Sequence, residues 1–308
     1  MNLNITTGPK ITPVKMGLYA PEGFGKSIFA SKTPGALVMD TENGTLRIDC
    51  RRVNVSSWDE AMSVITAVLE DPSICQTLVI DTMDRLETYG CDYLCAKYHK
   101  NSLEDWSYGK GYVALMELFQ SFYKQLDKVI AAGVNIILVA HARVRKFELP
   151  DQEGAFDKWE LKLNKQTSPL MKEWVDALLF GNFQTYVVTT EDRKKKAQGN
   201  KRVLYCNHMP TFDAKNRFGL PDSVEFSFDS VRSLFESKSD MSVAEKSAPV
   251  QSETPLDKLY SLMKEANVTD ADVQKVVHPK ATTTLTLRSK AITRNSSRSG
   301  SSSTGHRF

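Results

Sequence analysis

The feature that most constrains this chain is the run "VKMGLYAPEGFGKSIFA", residues 14–30. Residues 14–20 have the composition of a buried strand and lead without a spacer into "PEGFGKS". Two glycines followed by Lys26 and Ser27 predict a tight turn whose backbone N–H groups converge, with a short helix through Ser31 behind it. Such a turn suits phosphate. Gly23 and Gly25 supply backbone freedom, Lys26 a charge for the outer phosphates, and Ser27 a hydroxyl for Mg²⁺. The pattern G-x-x-x-x-G-K-[ST] fails only at its first position, where Ala20 stands. That position ends the strand, and many local geometries accept a methyl group there. The expected cofactor contacts therefore run through Glu22, Gly23, Phe24, Gly25, Lys26, Ser27 and Ile28, although Glu22 at the entrance has no assigned chemistry.

Further strand expectations are "GALVMD" (35–40), "TLVIDT" (77–82) and "VNIILVAHA" (134–142), apolar runs of the kind that are covered on both faces. Between them, Trp58 to Leu69 has apolar residues at helical spacing, and Met83 to Tyr98 and Gly111 to Ala132 also read as helices. This alternation predicts an α/β fold with a mostly parallel, doubly wound sheet. "TYVVTTE" (185–191) and "KRVLYCN" (201–207) read as a hairpin around the polar connection "DRKKKAQGN", with Arg193 to Lys196 a solvated tip.

In such a sheet the strand ends share one edge, where ligands bind. Asp81 ends one strand and is the expected Mg²⁺ partner of Ser27. Asp40 and Glu42 follow another strand, and His141 stands at the end of a third as a candidate γ-phosphate sensor. Taken singly, Asp81 could be a helix cap and His141 a satisfied core histidine. Their joint occurrence after a phosphate loop points to an ATP site with ATP and Mg²⁺ as cofactors.

This order resembles the RecA/RadA-like branch of the P-loop ATPases, and the short phage members tied to single-strand annealing and recombination in particular. The resemblance covers residues 12–236. It implies that Glu42, in the D-x-E of "MDTENG", activates the attacking water. "KNRFG" (215–219) looks like the RadA signature, which implies that Lys215 and Arg217 act across a subunit boundary on the neighbour's γ-phosphate. The implied catalytic set is Lys26, Glu42, His141, Lys215 and Arg217. A homo-oligomer with ATP at its interfaces, assembled on single-stranded DNA, follows from the same resemblance.

The segment after His141, "ARVRKFELPDQEGAFDKWELKLNKQTSP", reads as a long polar loop. Its Arg143, Arg145, Lys146, Lys158, Lys162 and Lys165 interleave with Phe147, Phe156 and Trp159, a pattern suited to backbone neutralisation and base stacking. A mobile surface loop or subunit contact accounts for it equally well.

Bulk charge does not argue for nucleic acid. The formal charge is +3, but the six Lys and Arg after residue 278 leave the first 278 residues at −3. Five cysteines lack metal-like pairing and read as reduced thiols. No apolar run reaches the ~20 residues of a membrane span, and no secretory leader is evident, so the cytoplasm (of a bacterial host, if phage-encoded) is expected. The expected organisation is an ATPase core (1–236), a linker (237–254), a small helical segment (255–277) and a disordered basic tail (278–308). Codon degeneracy lets the tail be read as a frameshifted end, which the nucleotide sequence would decide. The functional expectation is an ATP-hydrolysing recombination or annealing protein, possible companions being a single-stranded-DNA-binding protein or a replication partner. The alternative is a nucleotide-gated loader or adaptor docking a replication or packaging partner through residues 255–277.

Overall fold

The computed structural model describes residues 7–8, 12–148, 154–189 and 195–236, with side-chain environments omitted for 185–200. The expected linker, helical segment and tail, and Arg193 and Lys194 of the expected hairpin tip, lie outside the described residues.

Strand β1 (Lys15–Ala20) runs into helix α1 (Lys26–Ser31), and β2 (Ala36–Asp40) and β3 (Arg52–Asn54) follow. Helix α2 (Trp58–Glu70) leads to β4 (Thr77–Asp81), then come α3 (Met83–Tyr98) and α4 (Lys110–Ala131). The rest of the core is β5 (Asn135–Glu148), β6 (Ala155–Leu161), α5 (Thr167–Trp174), β7 (Ala177–Thr189), β8 (Lys195–Tyr205), β9 (Lys215–Asn216) and β10 (Ser223–Glu225). The sheet order is β10-β8-β7-β1-β5-β4-β2-β3, with β6 on β5 and β9 on β7. Neighbours from β7 through β3 are parallel, and β8, β10, β6 and β9 join antiparallel. The mostly parallel α/β sheet is as expected, and its parallel strands are continuous apolar runs because both faces are covered.

Alternation along β5 explains the two cores. Ile136, Leu138 and Ala140 pack with Leu78, Ile80, Trp58, Phe119 and Phe122 on one face. Ile137 and Val139 pack with Met16, Leu18, Val79 and Phe29 on the other. Helix α2 is set by its N-terminus: Ser57 Oγ accepts from the Glu60 N–H at 3.2 Å, while Glu60 Oε2 accepts from the Ser56 N–H at 2.7 Å.

The segment after His141 departs from the expected loop. Strand β5 continues to Glu148 and pairs with β6 from Ala142↔Leu161 to Glu148↔Ala155. Aromatic and β-branched residues (Val144, Phe147, Phe156, Trp159) favour this ribbon, and the largely exposed outer part of β5 carries its charges. The parallel register sets the carboxyl ends side by side: Ala20 opposite His141, and Asp81 opposite Asp40 and Val139.

Candidate functional site

At this edge lies a cavity of about 210 Å³ lined by Gly23, Gly25, Lys26, Ser27, Ile28, Asp40, Glu42, Gly44, Ile48, Asp81, Thr82 and His141. Gly25 has φ +103° and caps α1, a conformation that L side chains rarely adopt. Lys26 is 5% exposed, and its ammonium donates to the Ala20 and Pro21 carbonyls at 3.2 and 2.9 Å. Burial pushes its pKa down, opposed by Asp81, Asp84, Glu42 and Glu22. Ser27 donates a side-chain hydrogen bond to Asp81, whose carboxyl burial lifts from 3.8 to about 6. A hydroxyl and a buried acid in contact, beside a lysine resting on the carbonyls of its own loop, fit a nucleotide phosphate with a divalent cation. Bound there, Mg²⁺ would be held by Ser27 and Asp81 and would neutralise phosphate charge.

Asp40 lines the cavity, but its carboxylate is engaged by its own turn. Its carboxylate accepts from the backbone of Glu42, Gly44 and Thr45 at 3.1, 3.2 and 2.9 Å, and from Thr45 Oγ1 at 2.5 Å. Burial raises its pKa, but these bonds outweigh burial and hold it below the ordinary value. The turn so folded presents Glu42, whose Oε1 accepts from Thr82 Oγ1 at 2.7 Å. Thr41 zips the two strand ends together: its N–H reaches the Asp81 carbonyl at 2.8 Å, and its Oγ1 accepts from the Thr82 N–H at 2.7 Å.

His141 has a partner that sequence reasoning missed. Asp84, in the first turn of α3, accepts from the His141 backbone N–H at 3.0 Å and lies 3.0 Å from its Nδ1. Burial raises the Asp84 pKa, and the His141 contacts more than reverse this. With Nδ1 given to Asp84, Nε2 is the edge left for a ligand. Glu42 Oε1 is 4.0 Å from the same Nδ1, so Glu42, Asp84 and His141 form one cluster. An acid just after the Asp81–Thr82 pair was the available signal, but only the register of β5 against β4 reveals its partner.

Other expected contacts fall outside the cavity lining. The Phe24 ring is 1% exposed and packs against Phe183 and Phe226, seating the loop rather than a ligand. Glu22 instead meets Lys162 at 3.4 Å. Ala20 is buried beside Gly181 of β7, where an added Cβ would come within 3.0 Å of the Ala20 Cβ and 2.6 Å of Phe24 Cε1. Gly181 thus makes room for both the alanine and the phenyl ring.

Lys215 and Arg217 do not approach this cavity. Strand β9 pairs with the start of β7, at Leu178 and Ala177, whereas the phosphate loop follows the far end of β1. Lys215 Nζ donates to the Lys172 and Glu173 carbonyls at 3.1 and 2.8 Å, and Arg217 Nη1 to Asp176 Oδ1 at 2.8 Å.

Of the basic residues after His141, Arg143, Arg145 and Lys165 line one groove of about 580 Å³ with Tyr112, Val144, Asn164 and Gln166. Arg143 Nη2 donates to the Leu163 carbonyl at 2.9 Å. Lys146 is exposed farther out. Lys158 corrects the expectation. It is mostly buried, 2.8 Å from Asp213 Oδ1 and over the Phe147 ring, so a carboxylate already neutralises it.

A phosphate loop after β1, the acid Asp81 ending β4 and β5 between them give a P-loop nucleotide fold. Residues 12–218 match the AAA domain family, and the chain belongs to it. It is also similar to a SPbeta prophage-derived uncharacterized protein, YorG, of Bacillus subtilis. The two are 23% identical over 146 residues, 44% of this chain and 45% of the relative, so the match spans less than half of that protein. Among solved structures, a KaiC-like protein of Pyrococcus horikoshii is 13% identical with a TM-score of 0.36, covering 65% of this chain and 80% of that one. The flagellar accessory protein FlaH of Methanocaldococcus jannaschii is 11% identical with a TM-score of 0.32, covering 63% and 86%. Among the described residues, no helix is long and apolar enough to cross a membrane.

Proposed function

We propose that this chain is an ATP-hydrolysing phage protein of DNA recombination or single-strand annealing, working as a head-to-tail oligomer on single-stranded DNA. The observation that carries the ATPase is the placement of Glu42. Its carboxylate is held by Thr82 and stands beside the His141–Asp84 pair, on the same cavity as Lys26, Ser27 and Asp81. Glu42 accepts the proton of the attacking water, Lys26 leaves its loop carbonyls for phosphate, and His141 reads the terminal phosphate through Nε2. Lys215 and Arg217 act on the neighbour's site, which their distance from their own supports.

The DNA reading rests on the groove of Arg143, Arg145, Lys165 and Tyr112, which opens two residues beyond His141 on the same strand. Phosphates against the arginines and a base on Tyr112 would link strand binding to the sensor. ATPase rate measured against protein concentration, with and without single-stranded DNA, tests this. The expected rate rises faster than linearly with protein, is stimulated by DNA, and falls at least ~100-fold in Glu42→Gln. A linear rate indifferent to DNA overturns the recombination reading and favours the nucleotide-gated adaptor.

A further inference from the structure

Strand β8 belongs to the antiparallel edge of the sheet, and nothing in the motif reading gave it a role. Yet Arg202 on β8 reaches the phosphate loop, its Nη1 donating to the Phe24 carbonyl at 3.0 Å. Its guanidinium lies over the Phe226 ring, 5.3 Å from the centroid, and Phe226 in turn packs against Phe24 and Phe29. The same Nη1 sits 2.9 Å from where a Cβ on Gly25 would be, so the arginine occupies the outer side of the Gly25 turn.

We propose that Arg202 is a positioning residue of the phosphate loop, fixing the Phe24–Gly25 peptide so that the Gly25 N–H points into the nucleotide cavity. The proposal rests on the nucleotide reading above. In a trans peptide the carbonyl and the following N–H point in opposite directions. A donor that holds the Phe24 carbonyl outward therefore turns the Gly25 N–H inward. The lining agrees with this: Gly23, Gly25, Lys26 and Ser27 face the cavity and Phe24 does not. The amides ahead of α1 have no intrahelical acceptor and are free for phosphate only if the loop holds this orientation. A left-handed glycine has little stiffness of its own, so the orientation must come from outside the loop. Arg202 supplies it through a charge-assisted bond, and its fork and ring stacking hold it better than an ammonium could.

The test compares wild type, Arg202→Met and Arg202→Lys in the full chain. Affinity for a fluorescent MgADP analogue is measured by anisotropy, thermal midpoints are recorded, and the Gly25 amide is followed in glycine-selective ¹⁵N spectra. Arg202→Met is expected to weaken MgADP binding about 10-fold with an unchanged midpoint, which corresponds to about 1.4 kcal/mol. It should also shrink the nucleotide-induced shift of the Gly25 amide, and Arg202→Lys should restore part of both. Wild-type affinity and a wild-type Gly25 shift in Arg202→Met overturn the positioning role while leaving the nucleotide site standing. A loss of affinity that tracks a lowered midpoint, with no change at Gly25, overturns it in favour of plain packing. Absence of MgADP binding by wild type overturns the nucleotide reading instead.

Discussion

Burial lifts the Asp81 carboxyl from 3.8 to about 6, with Asp40 adding to the effect and Ser27 and Lys26 opposing it. A folded pKa above the unfolded one means that the native state binds this proton more tightly. Stability of the nucleotide-free protein therefore falls as pH rises from about 4 to about 6, and above that range the full cost of about 3 kcal/mol remains. Asp81→Asn removes the penalty. In urea unfolding at pH 8 without Mg²⁺, the variant should be about 1–3 kcal/mol more stable than wild type, with the difference closing toward pH 4. Mg²⁺-dependent nucleotide affinity should fall in the same variant. An Asp81→Asn variant less stable than wild type at pH 8 would sink this account. Residues of this kind were legible in the sequence because the chemistry dictates them: Lys26, Ser27 and Asp81 follow strands in a recognisable order. Asp84, Thr82 and Arg202 were not, since each matters only through a partner that strand register brings alongside.

At the scale of elements, what was legible depended on burial. Strands β1, β2, β4 and β5 are continuous apolar runs and helices α2 to α4 are periodic, so all were readable. The outer half of β5 with β6 escaped because Arg143, Arg145, Lys146, Glu148, Asp157, Lys158 and Glu160 break the apolar run and leave no clean alternation. Strand β3 and helix α5 were too short to show a period. Helix α5 is set instead by Glu87 on α3, a half-buried carboxylate that accepts the Asn164 N–H at 3.0 Å and the Thr167 hydroxyl. Burial raises its pKa, and the Thr167 and Asn164 bonds oppose this. Glu87→Ala leaves the Asn164 N–H unpaired and the Thr167 hydroxyl with only the Asn164 carbonyl at 3.3 Å, and is expected to cost about 2–4 kcal/mol, whereas Glu87→Gln retains an acceptor and costs about 1 kcal/mol. Denaturant midpoints of the two variants check this; equal losses would mean that cavity formation, not the hydrogen bonds, sets the cost.

At the scale of the whole molecule, the position of β9 decides how a catalytic arginine could act. Along β1, Met16 pairs with Ala177, and four residues later Ala20 ends the strand at the phosphate loop. With Asn216 beside Ala177, that is about 13 Å of strand, and the loop lies beyond it. Arg217 is tied to Asp176 yet 62% exposed, so it faces outward at the opposite edge of the sheet. A head-to-tail contact would carry that edge to a neighbour's carboxyl edge, giving each site a loop from one subunit and a basic pair from the next. Lys26→Ala then spoils the site on its own subunit, and Arg217→Ala the site on the subunit it faces. Each variant alone should be nearly inactive. Mixed in equal amounts and allowed to exchange, they form interfaces at random. About one interface in four joins an intact loop to an intact arginine, so ATPase activity should recover to about a quarter of wild type. If both residues served the same subunit's site, no mixture could rebuild one. A mixed sample no more active than the sum of its parts would therefore return Arg217 to a structural role, bridging β9 to Asp176.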